Sequence, residues 1–467
     1  MTAPWDQRSL DEQARVEALT LTRWLPVATS AAPHWEHEAS VAGLTPSEVK
    51  ERSDLYRLRP SREADLLADG PGAPGTVLRP SEDQVKALGG AELLTRVASA
   101  IRRDGGEGKR EVLLREYQPL ELHRAGPDRR LLVASSRSDL DRLHRAGARA
   151  ARVLGLDEHD VLLDAVPTGP TIEAVGVAHL AQGASITALH ARGHGDDLAT
   201  VAAAARLLPV TVLTVPLEDA VTLGRTLAGT RIDLRRLRRI VTLGPLPDEE
   251  TRGEIAAAFT AVGANADVRA LWGPDLGRSL WAECAEGHHG LHTTPDLELL
   301  EVVDPMSGQP TDGDGDLTIT TSGWHGTVLL RVQTGTWVDP LTTEPCPGCG
   351  RTVPRIVGEM APRAWQLPMT PEGSRARHVD LRGVPAVLAS TTGVAAWRAE
   401  LRGPTDRVPG DRLVVEVAGE LTRSERTDLE ERLELACGVA PHLAVGVHRA
   451  AIERAIDELG GVFADLR

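Results

Sequence analysis

At 467 residues the chain is too long for one ordinary core, so two or three domains are expected. Its 41% hydrophobic and 25% charged residues are those of a globular protein, and a net charge of −15 argues against non-specific binding of nucleic acid or anionic membranes. No apolar run approaches the roughly 20 residues of a membrane-spanning helix, and the start Met1-Thr-Ala-Pro-Trp-Asp lacks the basic and apolar parts of a signal peptide, which predicts a cytoplasmic protein.

The chain opens on a helical region over 1–68. Leu10, Ala14, Ala18, Leu21 and Leu25 recur at helical spacing, and Thr45-Pro-Ser-Glu48 is a helix start with Pro in the first turn. Residues 69–80, rich in Gly and Pro, read as a loop. A body over 69–357 follows. From 130 to 270, strands alternate with helices: strand 131–134, helix 137–154, strand 161–166, helix 171–182 and strand 185–189. Helix 195–207, strand 210–215, helix 217–229, strand 240–243 and helix 248–262 continue the series. Such alternation implies βαβ units and a parallel sheet covered on both faces, so the fold class is α/β. Over 297–340 the pattern changes to short strands at 297–303, 317–321 and 327–332, which suggests an antiparallel β region. The last segment, 358–467, has a strand at 413–417 and helices at 423–437 and 448–458, and reads as a small α+β lid.

Four cysteines occur in all, and three of them gather in two short stretches. One is Ala-Glu-Cys284-Ala-Glu-Gly-His-His-Gly-Leu-His292; the other is the knuckle Pro-Cys346-Pro-Gly-Cys349-Gly-Arg351. A C-x-x-C turn presents two thiolates on one side of a tight loop, and a further Cys and His complete the tetrahedral N/S shell that zinc prefers. Four donors argue for a closed, structural zinc site, against an unmetallated knuckle, a redox thiol pair or a catalytic metal. Such a zinc is expected to brace the β region against the α/β body. His288 and His289 compete with His292 as the nitrogen ligand. Cys437 stands in an apolar helical stretch and reads as a small buried hydrophobe.

With this knuckle, the chain resembles the phenylacetate–CoA ligase branch of the adenylate-forming enzymes. The likeness is carried by Tyr56-Arg-Leu-Arg-Pro-Ser-Arg-Glu-Ala-Asp-Leu66, Gly176-Val-Ala-His-Leu-Ala-Gln-Gly183 and Leu300-Glu-Val-Val-Asp304-Pro305. Leu330-Arg-Val-Gln-Thr-Gly335, Arg351-Thr after the knuckle and Leu381-Arg-Gly383-Val extend it. The Gly-Leu-His spacing of the family favours His292 as ligand. The resemblance implies a ligase-like α/β body with a C-terminal lid, ATP with magnesium, CoA, and activation of a carboxylic acid as an acyl-adenylate.

The nucleotide positions depart from the family. Where a flexible Ser/Thr/Gly/Lys loop should cradle phosphates, matching places His123-Arg-Ala-Gly126-Pro-Asp128-Arg129-Arg130. Only Gly126 and Arg129 retain part of the role, and a guanidinium fork is not the point charge of a lysine. The aromatic-Gly-x-x-Glu motif, whose carboxylate helps hold magnesium, becomes Trp272-Gly273-Pro-Asp275, with the acid one place early. The adenine-site loop becomes Gly244-Pro-Leu246-Pro247, and Thr336 replaces the ribose-binding aspartate. The family's C-terminal lysine has no counterpart, because no lysine follows Lys109. Each electrostatic donor removed from such a site costs on the order of 100-fold.

The expectation is therefore a degenerate homologue that binds a small carboxylic acid, an acyl thioester or a protein partner without adenylating. The alternative is an active AMP-forming acid–CoA ligase, with Arg129 and Asp275 as substitutes. A third reading is acyl transfer at the old CoA site without nucleotide. A homodimer is left open. Three further features carry bland readings: His179 as a satisfied core histidine, Arg235-Arg-Leu-Arg-Arg239 as a solvated face, and Asp312-Gly-Asp-Gly-Asp316 as a hairpin turn.

Overall fold

A computed structural model of the chain describes residues 4–67, 74–81, 83–84, 115–125, 131–169, 171–193, 197–230, 232–274, 276–304, 307–362, 366–369, 371, 377–381, 383–405, 409–459 and 462–466. It forms two compact units. One comprises Met1–Val302, Leu317–Thr334 and Val338–Glu359, and the other Val303–Asp316, Gly335–Trp337 and Met360–Arg467.

The first unit is organised by an eight-stranded sheet. A hairpin of β1 (Glu121–Ala125) and β2 (Leu131–Ser135) precedes it. The sheet contains β3 (Val161–Asp164), β4 (Thr187–His190), β5 (Val212–Pro216), β6 (Arg239–Leu243), β7 (Asp267–Trp272), β8 (Trp281–Glu283), β9 (Leu291–His292) and β13 (Arg355–Ile356), in the order β13-β9-β8-β7-β6-β5-β3-β4. From β4 to β7 the neighbours are parallel; β7, β8, β9 and β13 then pair antiparallel. Both faces are covered because successive strand residues point opposite ways. Leu163, Leu213 and Ile240 enter the core beneath the helices Leu198–Ala204, Ala220–Ala228 and Glu249–Thr260. Leu162, Val212 and Val241 enter the other core, beneath Arg137–Val153 and Ile172–Gly183. Each such fully buried aliphatic contributes about 1.5–3 kcal/mol.

These last two helices approach so closely that glycine is needed at the crossing. A Cβ on Gly147 would lie 2.3 Å from the His179 carbonyl oxygen, and one on Gly183 would lie 2.1 Å from that of His144. The N-terminal helices Leu10–Ala31 and Pro33–Val41 belong to the same unit. Trp24 and Trp35 donate their indole N–H groups to the carbonyls of Trp324 and Val328, at 3.0 and 2.8 Å.

The β region runs as β10 (Glu298–Val303), β11 (Gly315–Thr321) and β12 (Val332–Val338), side by side in that order. The strand expected at 327–332 is displaced. Thr327 through Arg331 are buried, yet their amides are taken up piecemeal: Thr327 by the Ala134 carbonyl, Val328 by that of Thr76, Leu329 by the Thr321 hydroxyl and Arg331 by the Thr320 hydroxyl. Arg331 has φ +49°, which breaks the extended run before β12 begins. Arg331 also makes a bidentate buried ion pair with Glu301. Part of the predicted 69–80 loop, 69–73, lies outside the described residues, and Pro74–Thr76 forms a 3-10 turn.

The second unit is α+β. It has β14 (Met360–Pro362), a hairpin of β15 (Gln366–Met369) and β16 (Arg377–Asp380), and a sheet in the order β19-β18-β17-β20. Those strands are β17 (Val394–Arg402), β18 (Arg412–Gly419), β19 (His442–Val445) and β20 (Phe463–Asp465). The helix Arg423–Cys437 starts at a Thr422/Glu425 capping box and stops where Gly438 turns left-handed at φ +73°. Leu429, Leu433 and Cys437 seat it on the sheet, and the Cys437 thiol donates to the Leu433 carbonyl at 2.9 Å.

Candidate functional site

In an open α/β sheet the carboxyl ends of the parallel strands are where a ligand finds exposed loops and unpaired backbone groups. A cavity of about 740 Å³ lies there. Val166, Pro167, Thr168 and Gly169 follow β3, Pro216 ends β5, Leu243 and Gly244 close β6, and Leu271, Trp272 and Gly273 close β7. Gly244 sits at φ +148°, a conformation that side chains resist, so the chain turns there only as glycine. Trp272 packs edge-on against Trp281 at 5.4 Å, which fixes the aromatic wall. The predicted Gly244, Trp272 and Gly273 are thus brought to one cavity. Gly126, Arg129 and Asp275 lie outside the described residues, and Thr336 lies on β12 within the second unit.

The charges on the cavity wall are Arg124 and Arg192 against Glu173, Glu218 and Asp219. Arg192 is already committed to an ion pair with Asp219. Among the described residues, carboxylates therefore outnumber guanidiniums around this space.

A second, shallower cavity of about 470 Å³ shares Thr168 and Gly169 with the first and is lined by Glu121, His144, Asp164, His179, Gln182 and His190. Asp164 and His190 end the neighbouring parallel strands β3 and β4 in direct register. The His190 Nδ1 lies 2.7 Å from Asp164 Oδ2. The other oxygen of this buried carboxylate accepts from the Thr214 hydroxyl at 2.7 Å and the Val166 amide at 3.0 Å. Because an ionised carboxylate only accepts, Nδ1 carries the proton and Nε2 keeps the lone pair. The hydrogen bond to Asp164 raises the pKa of His190 above that of a free imidazole.

His179 is buried, as the sequence suggests, but it is not satisfied. Neither ring nitrogen has a hydrogen-bond partner among the described residues, and burial, then the neighbouring His144, lowers its pKa to about 4. His123 on β1 is similar: unpartnered, buried and lowered to about 4, by burial first and then Arg278. The expected solvated face at 235–239 is also corrected. Arg235 is exposed and pairs with Asp233, but Arg238 holds Asp160 at 2.5 Å and the buried Arg239 pairs with Asp267. Within Asp312–Asp316, Asp314 accepts the Trp337 indole N–H at 3.1 Å, next to the start of β11.

At the antiparallel edge of the sheet, the predicted metal donors converge. One donor atom from each of Cys284, His292, Cys346 and Cys349 lies within 4.8 Å of all the others. The Cys284 and Cys346 sulfurs are 3.9 Å apart, and the Cys349 sulfur is 3.3 Å from His292 Nε2. A tetrahedral ion with thiolate bonds of about 2.3 Å has S–S edges of about 3.8 Å, which the 3.9 Å Cys284–Cys346 edge matches, so this donor set could hold such an ion with the remaining donors drawn inward. His292 Nδ1 faces the Ala282 carbonyl at 3.3 Å, which directs Nε2 inward. His288 is excluded as the ligand because it is engaged by Arg269 and Glu283, and His289 packs against Gly287 and Gly348. The thiols share protons unequally: the hydrogen bond between Cys284 and Cys349 holds Cys349 far below the usual thiol range and pushes Cys284 up.

The knuckle is held by its own turn and by the N-terminus. The Cys346 amide donates to the Arg351 carbonyl at 2.8 Å, Arg351 reaches Asp6 at 2.8 Å, and Gln13 donates to the Thr352 hydroxyl at 2.7 Å. The donors tie together β8, β9 and the approach to β13 within the main sheet. The expected brace between the β region and the body is therefore corrected: the knuckle returns to the sheet that already carries Cys284 and His292.

No protein-family model matches the sequence, and no curated protein matches it. Solved structures do. An open conformation of 2-hydroxyisobutyryl-CoA ligase in complex with 2-HIB-AMP and CoA is similar with a TM-score of 0.69 at 17% identity, over 95% of this chain and 91% of that one. The same ligase in the postadenylation state with R3-HIB-AMP gives 0.67 at 16% identity, over 97% and 93%. The chain has the adenylate-forming ligase fold. No helix among the described residues is long and apolar enough to cross a membrane.

Proposed function

We propose that this chain is a degenerate member of the phenylacetate–CoA ligase-like branch that binds a small carboxylic acid or its acyl thioester in the cavity beside Gly244 and Trp272 and no longer forms acyl-adenylates. The observation that carries the reading is the charge among the described residues of that cavity wall: Arg192 and Asp219 pair with each other, which leaves Glu173 and Glu218 against Arg124. A triphosphate needs the opposite balance. The lack of any lysine beyond Lys109 supports the same conclusion. The apolar wall of Val166, Leu243, Leu271, Trp272 and Leu280 suits an acyl group.

The Cys284, His292, Cys346 and Cys349 set is assigned as a structural zinc site. Four protein donors leave no open coordination position, so the metal's contribution is to folding. Elemental analysis should return one zinc per chain; a metal-free protein that melts normally overturns this assignment.

The functional reading is tested by thermal shift. An acid or thioether analogue of an acyl-CoA should raise Tm in proportion to its occupancy of the native state, while ATP with magnesium at millimolar concentration should not. A clear ATP-dependent rise would instead support the ligase alternative with Arg129 and Asp275 in the substituted roles.

A further inference from the structure

We propose that Asp164 and His190 form a general-base dyad that hydrolyses an acyl thioester lodged between the two cavities. The inference rests on the reading that the larger cavity accepts an acyl thioester, and it adds a reaction to that binding.

A site that cannot activate an acid is chemically useful only to an acyl group that arrives activated, and a thioester is such a group. The acyl chain fits the apolar part of the larger cavity. Its carbonyl then falls at Thr168 and Gly169, the residues common to both cavities, with the three histidines on the far side.

There the dyad is built for proton transfer. Asp164 is 1% exposed and receives three hydrogen bonds, from Thr214, Val166 and His190, so its carboxylate is held in one orientation. It locks the imidazole tautomer and leaves His190 Nε2 as the accepting atom. Both groups close parallel strands, so their positions are set by the rigid sheet. Burial keeps His179 neutral at physiological pH, so it lines the cavity beside the dyad without adding charge. The other titratable groups facing the dyad are Glu121 from β1 and His144, whose Nε2 is engaged by Gln182 at 3.1 Å.

The step balances with water alone. His190 Nε2 takes a proton from water as its oxygen attacks the thioester carbon. The tetrahedral intermediate then collapses, the C–S bond breaks, and the proton on His190 passes to the departing thiolate. The products are the free acid and the thiol. Asp164 is a positioning residue in this scheme, and His190 touches the reacting water.

The test uses the full-length protein, a panel of isobutyryl-, benzoyl- and phenylacetyl-CoA, thiol release as the readout, and a non-hydrolysable thioether analogue to measure binding. Hydrolysis should appear, and His190→Gln should reduce kcat on the order of 100-fold or more while leaving analogue binding unchanged. The rate should rise with pH as His190 deprotonates, above the usual imidazole range, and His190→Gln should abolish that limb. Asp164→Asn should shift the limb toward lower pH, an effect that a merely structural role would not produce. Analogue binding without hydrolysis, or hydrolysis that survives His190→Gln, overturns the dyad and leaves the binding reading standing. Failure of the analogue to bind overturns both.

Discussion

The two working edges of the eight-stranded sheet differ in how completely they are furnished. At the antiparallel edge, every group the local chemistry requires is in place: three sulfurs, an oriented imidazole and a knuckle pinned by Asp6 and Gln13. At the carboxyl edge of the parallel strands lies an open cavity of about 740 Å³, and among the described residues its wall carries more acid than base. A metal site that stabilises the fold is needed whether or not the fold catalyses. A phosphate site is needed only if it does. The contrast is what the proposed reading expects of a ligase fold that no longer forms acyl-adenylates.

The metal edge offers the strongest way to break this contrast. If the proposed zinc site holds, Cys346→Ala or Cys349→Ala should eliminate zinc binding and cause the steepest fall in Tm of any single substitution, because metal binding and folding are linked. Retention of zinc and Tm in either variant would show that the four donors do not act as one site. Beside it, Arg252 makes two hydrogen bonds to the buried Glu283, at 2.9 and 3.0 Å, immediately before Cys284. Arg252→Ala should cost about 3–5 kcal/mol by stranding that carboxylate, measurable by denaturant unfolding.

The cavity edge should betray itself by pH. His123 and His179 take up protons in the unfolded chain near pH 6.5, but in the folded chain only near pH 4. The unfolded state therefore binds more protons across this window, and stability falls as pH drops through it, by up to roughly 3 kcal/mol for each group. Replacing both with Gln should flatten unfolding free energy between pH 6.5 and 4; an unchanged slope would mean that neither histidine is excluded from water. The smallest effect is expected at the helix crossing beneath the cavities. Gly183→Ala should destabilise by about 1–3 kcal/mol, since the new methyl meets the His144 carbonyl, a backbone atom with little room to move.

What the sequence disclosed followed the same division. The helix Arg423–Cys437 was legible because its cap, Thr422 with Glu425, and its stop, Gly438, are local signals. The Cys/His cluster was legible because C-x-x-C spacing is itself the geometry of half of it. The buried run Thr327–Arg331 misled, because an apolar segment reads as a strand whether its amides meet a ladder or scattered oxygens. The Asp164–His190 pair left no spacing signal: 26 residues separate the two, and only the parallel register of β3 with β4 makes them neighbours. Arg238 and Arg239 looked like a solvated run because their partners, Asp160 and Asp267, come from other segments of the chain. The charge balance of the cavity was equally hidden, since it is summed from β1 itself and from segments that follow β3, β4 and β5.

The central claim is that a ligase fold has outlived its adenylation chemistry, and ATP–pyrophosphate exchange reads that chemistry directly. With magnesium and a panel of aryl and short-chain acids, the zinc-loaded protein is predicted to show no acid-dependent exchange above background. Robust exchange with any of these acids would contradict the account.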